Sequence, residues 1–285
     1  MAHPAIYIDF PAKKRYDKRG DEKMTELFSR YINSPAIRFK HAKGVSDRSG
    51  KEFHLFHEII LFLGGDAELI SETVRTPLKP LTLIVIPKET YHQVLIKGRQ
   101  DDYCRCVFQF YQTPGNAALI ESSVRELFVT ESDDTTRYLF STVMALARNQ
   151  NDATAPCVTE AVLNLLLYEI KEKKAVQIIG GWDEPLTKQT IAYISERLIQ
   201  PLQIEDIARH LNVSPSTLMH TFRRKMNISI HKYILQKRLI LAHNMIADGE
   251  QAIVAAGRCG FHDYSGFYKQ YVKMFNMKPS GHVKK

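Results

Sequence analysis

The chain has little of what several protein classes require. It has no apolar run near the roughly 18 residues that cross a bilayer. No Gly-x-Ser-x-Gly marks a nucleophile elbow, and no Gly-x-x-x-x-Gly-Lys-Ser/Thr marks a phosphate-binding loop. Cysteine is scarce: Cys104, Cys106, Cys157 and Cys259 are the four, and none forms a Cys-x-x-Cys pair. That excludes a disulfide scaffold and fits free thiols in a reducing compartment. Cys104-x-Cys106 sits in the alternating stretch "YCRCVFQF" and reads as two same-face strand residues rather than metal ligands. The opening "MAHPAIYIDFPAKKRYDK" has its basic residues after the short apolar stretch, the reverse of a signal peptide. A cytoplasmic protein is expected, without a membrane anchor, with no catalytic residues and no cofactor.

What is present is an ordinary globular composition over 285 residues, 44% hydrophobic and 25% charged, long enough for two domains. The charge is uneven. Residues 187–285 hold 15 Lys/Arg against 6 Asp/Glu, so this third alone exceeds the net +8 of the whole chain. A basic domain of that size points to a polyanionic partner.

Residues 1–115 read as mostly β. "FHLFHEIILFLGG", "AELISETV", "LTLIVIP", "HQVLIK" and "YCRCVFQF" are short apolar or alternating runs divided by Gly, Pro and charged turns. That spacing predicts a barrel or sandwich. Residues 116–176 read as helical, through "TRYLFSTVMALARN" and "VTEAVLNLLLYEIKEKK". The second carries a wide apolar face over Val158, Ala161, Val162, Leu165, Leu166 and Tyr168, which is either core or a dimer seam. "QIIGGWDEP" places a linker at 177–186. Residues 187–285 are helical by pattern throughout.

The last segment contains a repeat. "IARHLNVSPSTLMHTFRRKMN" and "AAGRCGFHDYSGFYKQYVKMFN" align Ala208 with Ala256 and Asn212-Val213 with Gly260-Phe261. After one residue of difference in the turn, Ser214 aligns with Asp263, Leu218 with Phe267, Phe222 with Tyr271 and Asn227 with Asn276. A small residue admits close helix approach, and Asn or Gly suits a left-handed turn position. Ser or Asp caps the next helix. Two apolar residues four apart share its buried face. Helix, turn and capped helix, twice over, is a pair of helix-turn-helix units. The long segment "SIHKYILQKRLILAHNMIAD" lies between them; at 1.5 Å per residue it spans about 30 Å, close to one turn of B-DNA.

In that arrangement the outward residues at the start of each second helix read base edges: Ser216, Thr217 and His220 in the first copy, Tyr264, Ser265 and Lys269 in the second. Ser214, Arg223, Arg224, Lys225 and Lys273 are the expected phosphate contacts.

The region 187–285 resembles the AraC/XylS family of bacterial transcription regulators. The resemblance rests on "IEDIARHLNVSPSTLMHTFRRKMNISIHKYILQKRLILA", on "GFHDYSGFYKQYVKMFNMKPS" with its terminal Lys-Pro-Ser, and on their spacing. It implies double-stranded DNA as a partner, contact with RNA polymerase, usually transcription activation, and a homodimer. Departures fall in the second short helix, where "AIVAAG" replaces larger aliphatics and an acidic residue. Gly257 within it weakens a helix by roughly 1 kcal/mol, so the second unit is expected to be the looser one.

Residues 1–115 are similar to the cupin-like arm of such regulators, through His54-x-x-x-Glu58 and through "LTLIVIP" followed at four residues by His92. The resemblance implies a small-molecule effector, a sugar or an anion, bound by Arg38, His54, Glu58 and His92. Enzyme cupins bind metal through two His, a Glu and a further His. Here Glu52 stands at the place of one His, so the set is incomplete and no metal is expected. His57 should face away from His54, and Lys79-Pro80-Leu81 stands where a Gly-Asp is common. A metal-dependent cupin enzyme with an accessory helical domain is the alternative reading.

Overall fold

The structure, a computed structural model, describes residues 26–44, 53–72, 74–149, 152–173 and 184–279. The N-terminal stretch discussed above, Glu52, and 177–183 of the expected linker lie outside these residues. The chain divides into two compact units, Met1–Gly181 and Trp182–Lys285. No helix among the described residues is long and apolar enough to cross a membrane.

Among the described residues the first unit contains nine strands: β1 (Glu26–Asn33), β2 (Ile37–Gly44), β3 (His57–Gly64), β4 (Ala67–Ser71), β5 (Arg75–Pro77), β6 (Thr82–Ile86), β7 (His92–Ile96), β8 (Cys104–Phe110) and β9 (Phe128–Glu131). They form two antiparallel sheets, one in the order β1-β2-β8-β3-β6-β9 and the other β5-β4-β7. Strand alternation gives the larger sheet two apolar faces. Ile60, Phe62, Ile84, Ile86 and Val107 pack with Ala67 and Leu69 of the smaller sheet and form the interior of the barrel. Phe39, Ile59, Leu61, Leu83, Val85, Cys106, Phe108 and Phe110 point the other way, to the helices.

Three helices cover that outer face: α1 (Ala117–Ser123), α2 (Asp134–Leu146) and α3 (Ala155–Lys173). Asp133 opens α2, its side chain accepting from the Thr136 amide at 2.8 Å. The apolar face of α3 is split. Val162, Leu163, Leu166, Leu167 and Ile170 are buried, whereas Val158, Ala161, Leu165 and Tyr168 are exposed, Leu165 at 55%. The segment 116–176 is not helical throughout. Strand β9 interrupts it and pairs with β6 at the sheet edge. "LFVT" is too short to show a period, and it is a strand because an open sheet edge lies beside it.

At the turn before β6, Leu81 takes φ 69°, a left-handed conformation that favours glycine. This is the place where the usual Gly-Asp is missing. Leu81 is held there by its amide, which donates to the Phe62 carbonyl at 2.7 Å.

The second unit is helical: α4 (Pro185–Glu196), α5 (Ile204–His210), α6 (Pro215–Met226), α7 (Ile230–Ala247), α8 (Ala252–Arg258) and α9 (Tyr264–Phe275). Helix α4 begins inside the expected linker, at Pro185. Its missing amide hydrogen costs nothing at the first helical position. The 18 residues of α7 make it about 27 Å long. It contacts α6, α8 and α9 and carries much of the core of this unit.

Candidate nucleic-acid interface and effector pocket

The two copies of the repeat fold alike down to single backbone angles. After α5, Asn212 takes φ 55°, and after α8, Gly260 takes φ 79°. In each, the next amide closes the turn: Val213 donates to Ala208 O at 3.0 Å, and Phe261 to Ala256 O at 3.1 Å. Val213 and Phe261 are half-buried rather than sealed in. Ala208 and Ala256 are buried, as close helix contact requires. Ser214 then caps α6 by accepting from the Thr217 amide at 3.1 Å. Asp263 caps α9 twice, accepting from Ser265 N at 3.1 Å and Gly266 N at 2.6 Å. Leu218 and Phe222, and likewise Phe267 and Tyr271, are fully buried. Both second helices end on a left-handed Asn, Asn227 at φ 56° and Asn276 at φ 57°.

The turn of the second copy also meets α7. The Arg238 guanidinium donates to Leu198 O at 2.9 Å, to Gln200 O at 2.6 Å and to Gly260 O at 3.3 Å. A Cβ on Gly260 would lie 3.0 Å from the Arg238 Cζ, so this glycine is required both by its φ and by the close approach. Tyr271 sends its hydroxyl to His243 Nδ1 on α7 at 2.7 Å.

Ser216, Thr217, His220, Arg223 and Arg224 are exposed on α6, and Ser265, Lys269 and Lys273 on α9. Three expected contacts differ in detail. Lys225 is half-buried and ion-pairs with Glu184 at 3.7 Å, because its place on the helix lies beside the buried stripe. The Ser214 hydroxyl already serves the cap and bonds Thr217 Oγ1 at 2.8 Å. Tyr264 occupies the register of Pro215, with its ring 5.7 Å from that of Phe267. The register of Thr217 falls instead on Gly266, where an added Cβ would come within 2.9 Å of the capping carboxylate. Met219, 44% exposed, and Gln270 lie on the same surfaces and were not expected there. Their spacing from His220 and Lys269 was the available signal.

In the first unit, sheet register gathers polar side chains on the interior face. Arg38 pairs with Gln109, and Gln109 with Glu58, across β2, β8 and β3. Arg38 is half-buried and lies over the Tyr31 ring at 4.7 Å, with Lys40 at 5.3 Å. Gln109 Nε2 donates to Glu58 Oε1 at 2.8 Å. The other oxygen of Glu58 faces His54 Nε2 at 3.6 Å and His92 Nε2 at 3.4 Å. Both imidazoles are anchored from behind: His54 Nδ1 meets Phe56 O at 2.7 Å, and His92 Nδ1 meets Thr90 O at 3.1 Å. The Glu89 amide donates to the His54 carbonyl at 2.7 Å, so the loop before β7 positions both histidines.

Glu58, His54 and His92 are buried. Burial depresses the basicity of His54, against the opposing pull of Glu58. Burial would raise the Glu58 carboxyl, but the facing imidazoles outweigh it and hold it well below the usual carboxylate range. His57 points away, stacking on Phe110 at 5.6 Å. Burial, then the Lys88 charge, lowers it to about 4. Cys106 faces the helix-side core, and burial pushes its thiol up, as it does that of Cys104. Gln109 was missed as a partner of Glu58, since only cross-strand register brings the two together.

Comparison with known proteins bears on this geometry. Residues 207–285 match the family described as "Helix-turn-helix domain". The HTH-type transcriptional regulator GbdR of Pseudomonas aeruginosa is 28% identical over 129 residues, 43% of this chain and 35% of that protein. The chain carries a helix-turn-helix domain at 207–285. The Msm operon regulatory protein of Streptococcus mutans is 28% identical to it over 170 residues, 57% of this chain and 60% of the relative. These matches thus span less than two thirds of either relative. ToxT from Vibrio cholerae aligns over 86% of this chain and 97% of its own, at 12% identity and a TM-score of 0.40.

Proposed function

We propose that the protein is a sequence-specific DNA-binding transcription regulator, an activator, whose N-terminal domain binds a small-molecule effector. The observation that carries this reading is the repeated unit: two left-handed turns, two capped helices and two exposed polar faces in one basic domain. Relatives named as regulators of transcription support it.

In this reading residues 187–285 grip DNA. Arg223, Arg224 and Lys273 hold phosphates, while Ser216, Thr217, His220, Ser265 and Lys269 contact base edges. Tyr264 stands at the rim, and Ser214 and Lys225 act mainly within the fold. Residues 1–115 form the sensor, with Arg38, Glu58, His54 and His92 around a sugar or an anion, and Arg38 favours the anion. Residues 116–176 join two copies. Val158, Ala161, Leu165 and Tyr168 recur every three or four residues on the exposed side of α3, the spacing of a helix-to-helix seam. RNA polymerase is the further partner, in the cytoplasm.

The test is selection of bound sites from random DNA by the full chain, followed by footprinting at moderate salt. A protected site with two blocks about one helical turn apart is the expected result. Uniform coating without defined sites would rule the reading out. The enzyme alternative draws on the His54–Glu58–His92 cluster alone, and the relatives named as regulators weigh against it.

A further inference from the structure

We propose that the exposed face of α8, built on Ile253, Val254 and Gly257, docks against the same face of a second copy of this chain. The proposal rests neither on DNA binding nor on an effector.

The repeat supplies the first observation. With Ala208 aligned to Ala256, α5 and α8 match residue for residue. Glu205, Asp206 and Arg209 are exposed on α5, and Asp206 pairs with Arg209 at 2.9 Å. That is a solvated, charged face. The same registers on α8 hold Ile253, Val254 and Gly257. Ile253 is 61% exposed and Val254 44%. The fold of the unit does not call for this change, because the first copy makes the same helix and turn with charged residues. Packing does not call for it either, since Ala255, Ala256 and Cys259 form the buried side of α8.

Gly257 is the second observation. A Cβ there would meet nothing within 4 Å. A glycine at an exposed helical position weakens the helix, and this one returns no contact within the chain. Ile253 and Gly257 are four apart, so a protruding side chain and a notch lie one turn from each other on one face. Two such faces packed antiparallel about a twofold axis place each Ile253 over the Gly257 of the other. Every contact in such a pairing is made twice, and the absent side chains let the two backbones approach closely.

Charge selects a second copy over another partner. The segment 187–285 holds 15 Lys/Arg against 6 Asp/Glu, so two copies repel over most of their surface. They need not repel at α8. Its basic residue, Arg258, is matched by Glu250, with Nη1 donating to Oε1 at 2.9 Å and to Oε2 at 3.2 Å. An acidic partner would call for an unmatched cation beside the apolar pair, and here the cation is already neutralised. Antiparallel packing brings Arg258 of one copy beside Glu250 of the other, so the two ion pairs exchange across the axis. A face on so short a helix buries little area. The contact is weak by itself and acts between copies already held close.

The experiment uses the full-length chain with the exposed Cys157 replaced by Ser. Ile253→Cys is treated with a short bifunctional maleimide, and Glu205→Cys, at the same register of the first unit, is the control. Thermal unfolding is followed for every chain. Ile253→Cys should give covalent dimers in about 10-fold higher yield than Glu205→Cys. Adding Val254→Asp, the residue of the first unit, should cut that yield about 10-fold, because a carboxylate in an apolar contact is costly to desolvate. Adding Gly257→Ala should lower it roughly 3-fold by filling the notch, with no fall in Tm. Lost crosslinking with melting retained in both supports the contact. Equal yields from Ile253→Cys and Glu205→Cys overturn it, and so does a yield that Val254→Asp and Gly257→Ala leave unchanged. RNA polymerase is added in a parallel arm. Crosslinks from Ile253→Cys to the polymerase, with none between copies, would assign the face to that partner and overturn the proposal as well.

Discussion

The two helix-turn-helix units share a backbone plan but divide their labour differently. The first is capped once and heavily charged: Ser214 accepts from one amide, Leu218, Phe222 and Met226 form a buried stripe, and Arg223 and Arg224 are exposed. The second is capped twice and less charged toward its C-terminal end, where Lys273 is the basic residue. Asp263 caps two amides, and Phe261, Phe267 and Tyr271 form a run of ring contacts at 5.0 and 5.3 Å. Val272 and Met274 stand in the registers of Arg223 and Lys225. The expectation of a looser second unit rested on "AIVAAG"; in the structure Leu218, Thr221, Phe222 and Met226 of α6 are buried, against Phe267 and Tyr271 of α9. Duplicated units need not stay equivalent: with the turn preserved, charge and packing drift apart independently.

The comparison can be broken most easily at its charges. Replacing Arg223 and Arg224 together by Ala should weaken total DNA affinity roughly 50-fold near 0.1 M salt, since each phosphate contact contributes about 0.9 log unit per decade of salt. The slope of log affinity against log salt should fall by about 2, against about 1 for Lys273→Ala. Equal slopes for the two units would erase the asymmetry. Gly260→Ala should cost about 2 kcal/mol in denaturant unfolding, through left-handed strain and the displaced Arg238. Asn212→Ala, at the matching turn, should cost about 1 kcal/mol. A reversed order would show that the Arg238 contact is slack.

Smaller effects sharpen the picture. His220→Ala and Lys269→Ala should each cost about 1 kcal/mol at a selected site and almost nothing on bulk DNA. Parallel losses on both would remove them from base reading. Gly257→Ala should raise stability by about 0.5–1 kcal/mol, because a Cβ there meets open space in a helix. No gain in Tm would mean that this glycine serves some purpose that the packing of α8 does not reveal.

The second domain was legible because its signals are local. Caps, left-handed turn residues and four-residue spacing lie within a dozen positions of one another, and the repeat states them twice. The apolar residues of α3 were also visible, but the split between core and surface needed the helix in place. Less of the first domain could be read. Strand β2 carries Arg38, Lys40, His41 and Lys43 among its apolar residues and reads as polar, although its sheet buries much of it. Strand β9 is four residues long, too few for any period. In the first domain, spacing singled out His54, Glu58 and His92, which the structure brings together. Gln109 could not be found that way, since it reaches Glu58 from a strand 51 residues away.

One guanidinium, that of Arg238, is tied to carbonyls on both sides of α7, at Leu198 and Gln200 and again at Gly260. This ties the turn of the second unit, through α7, to the segment that follows α4. An operator would have to present its two blocks at one fixed phase of the double helix. Inserting half a helical turn between them would turn one block to the far side of the duplex from its reading helix.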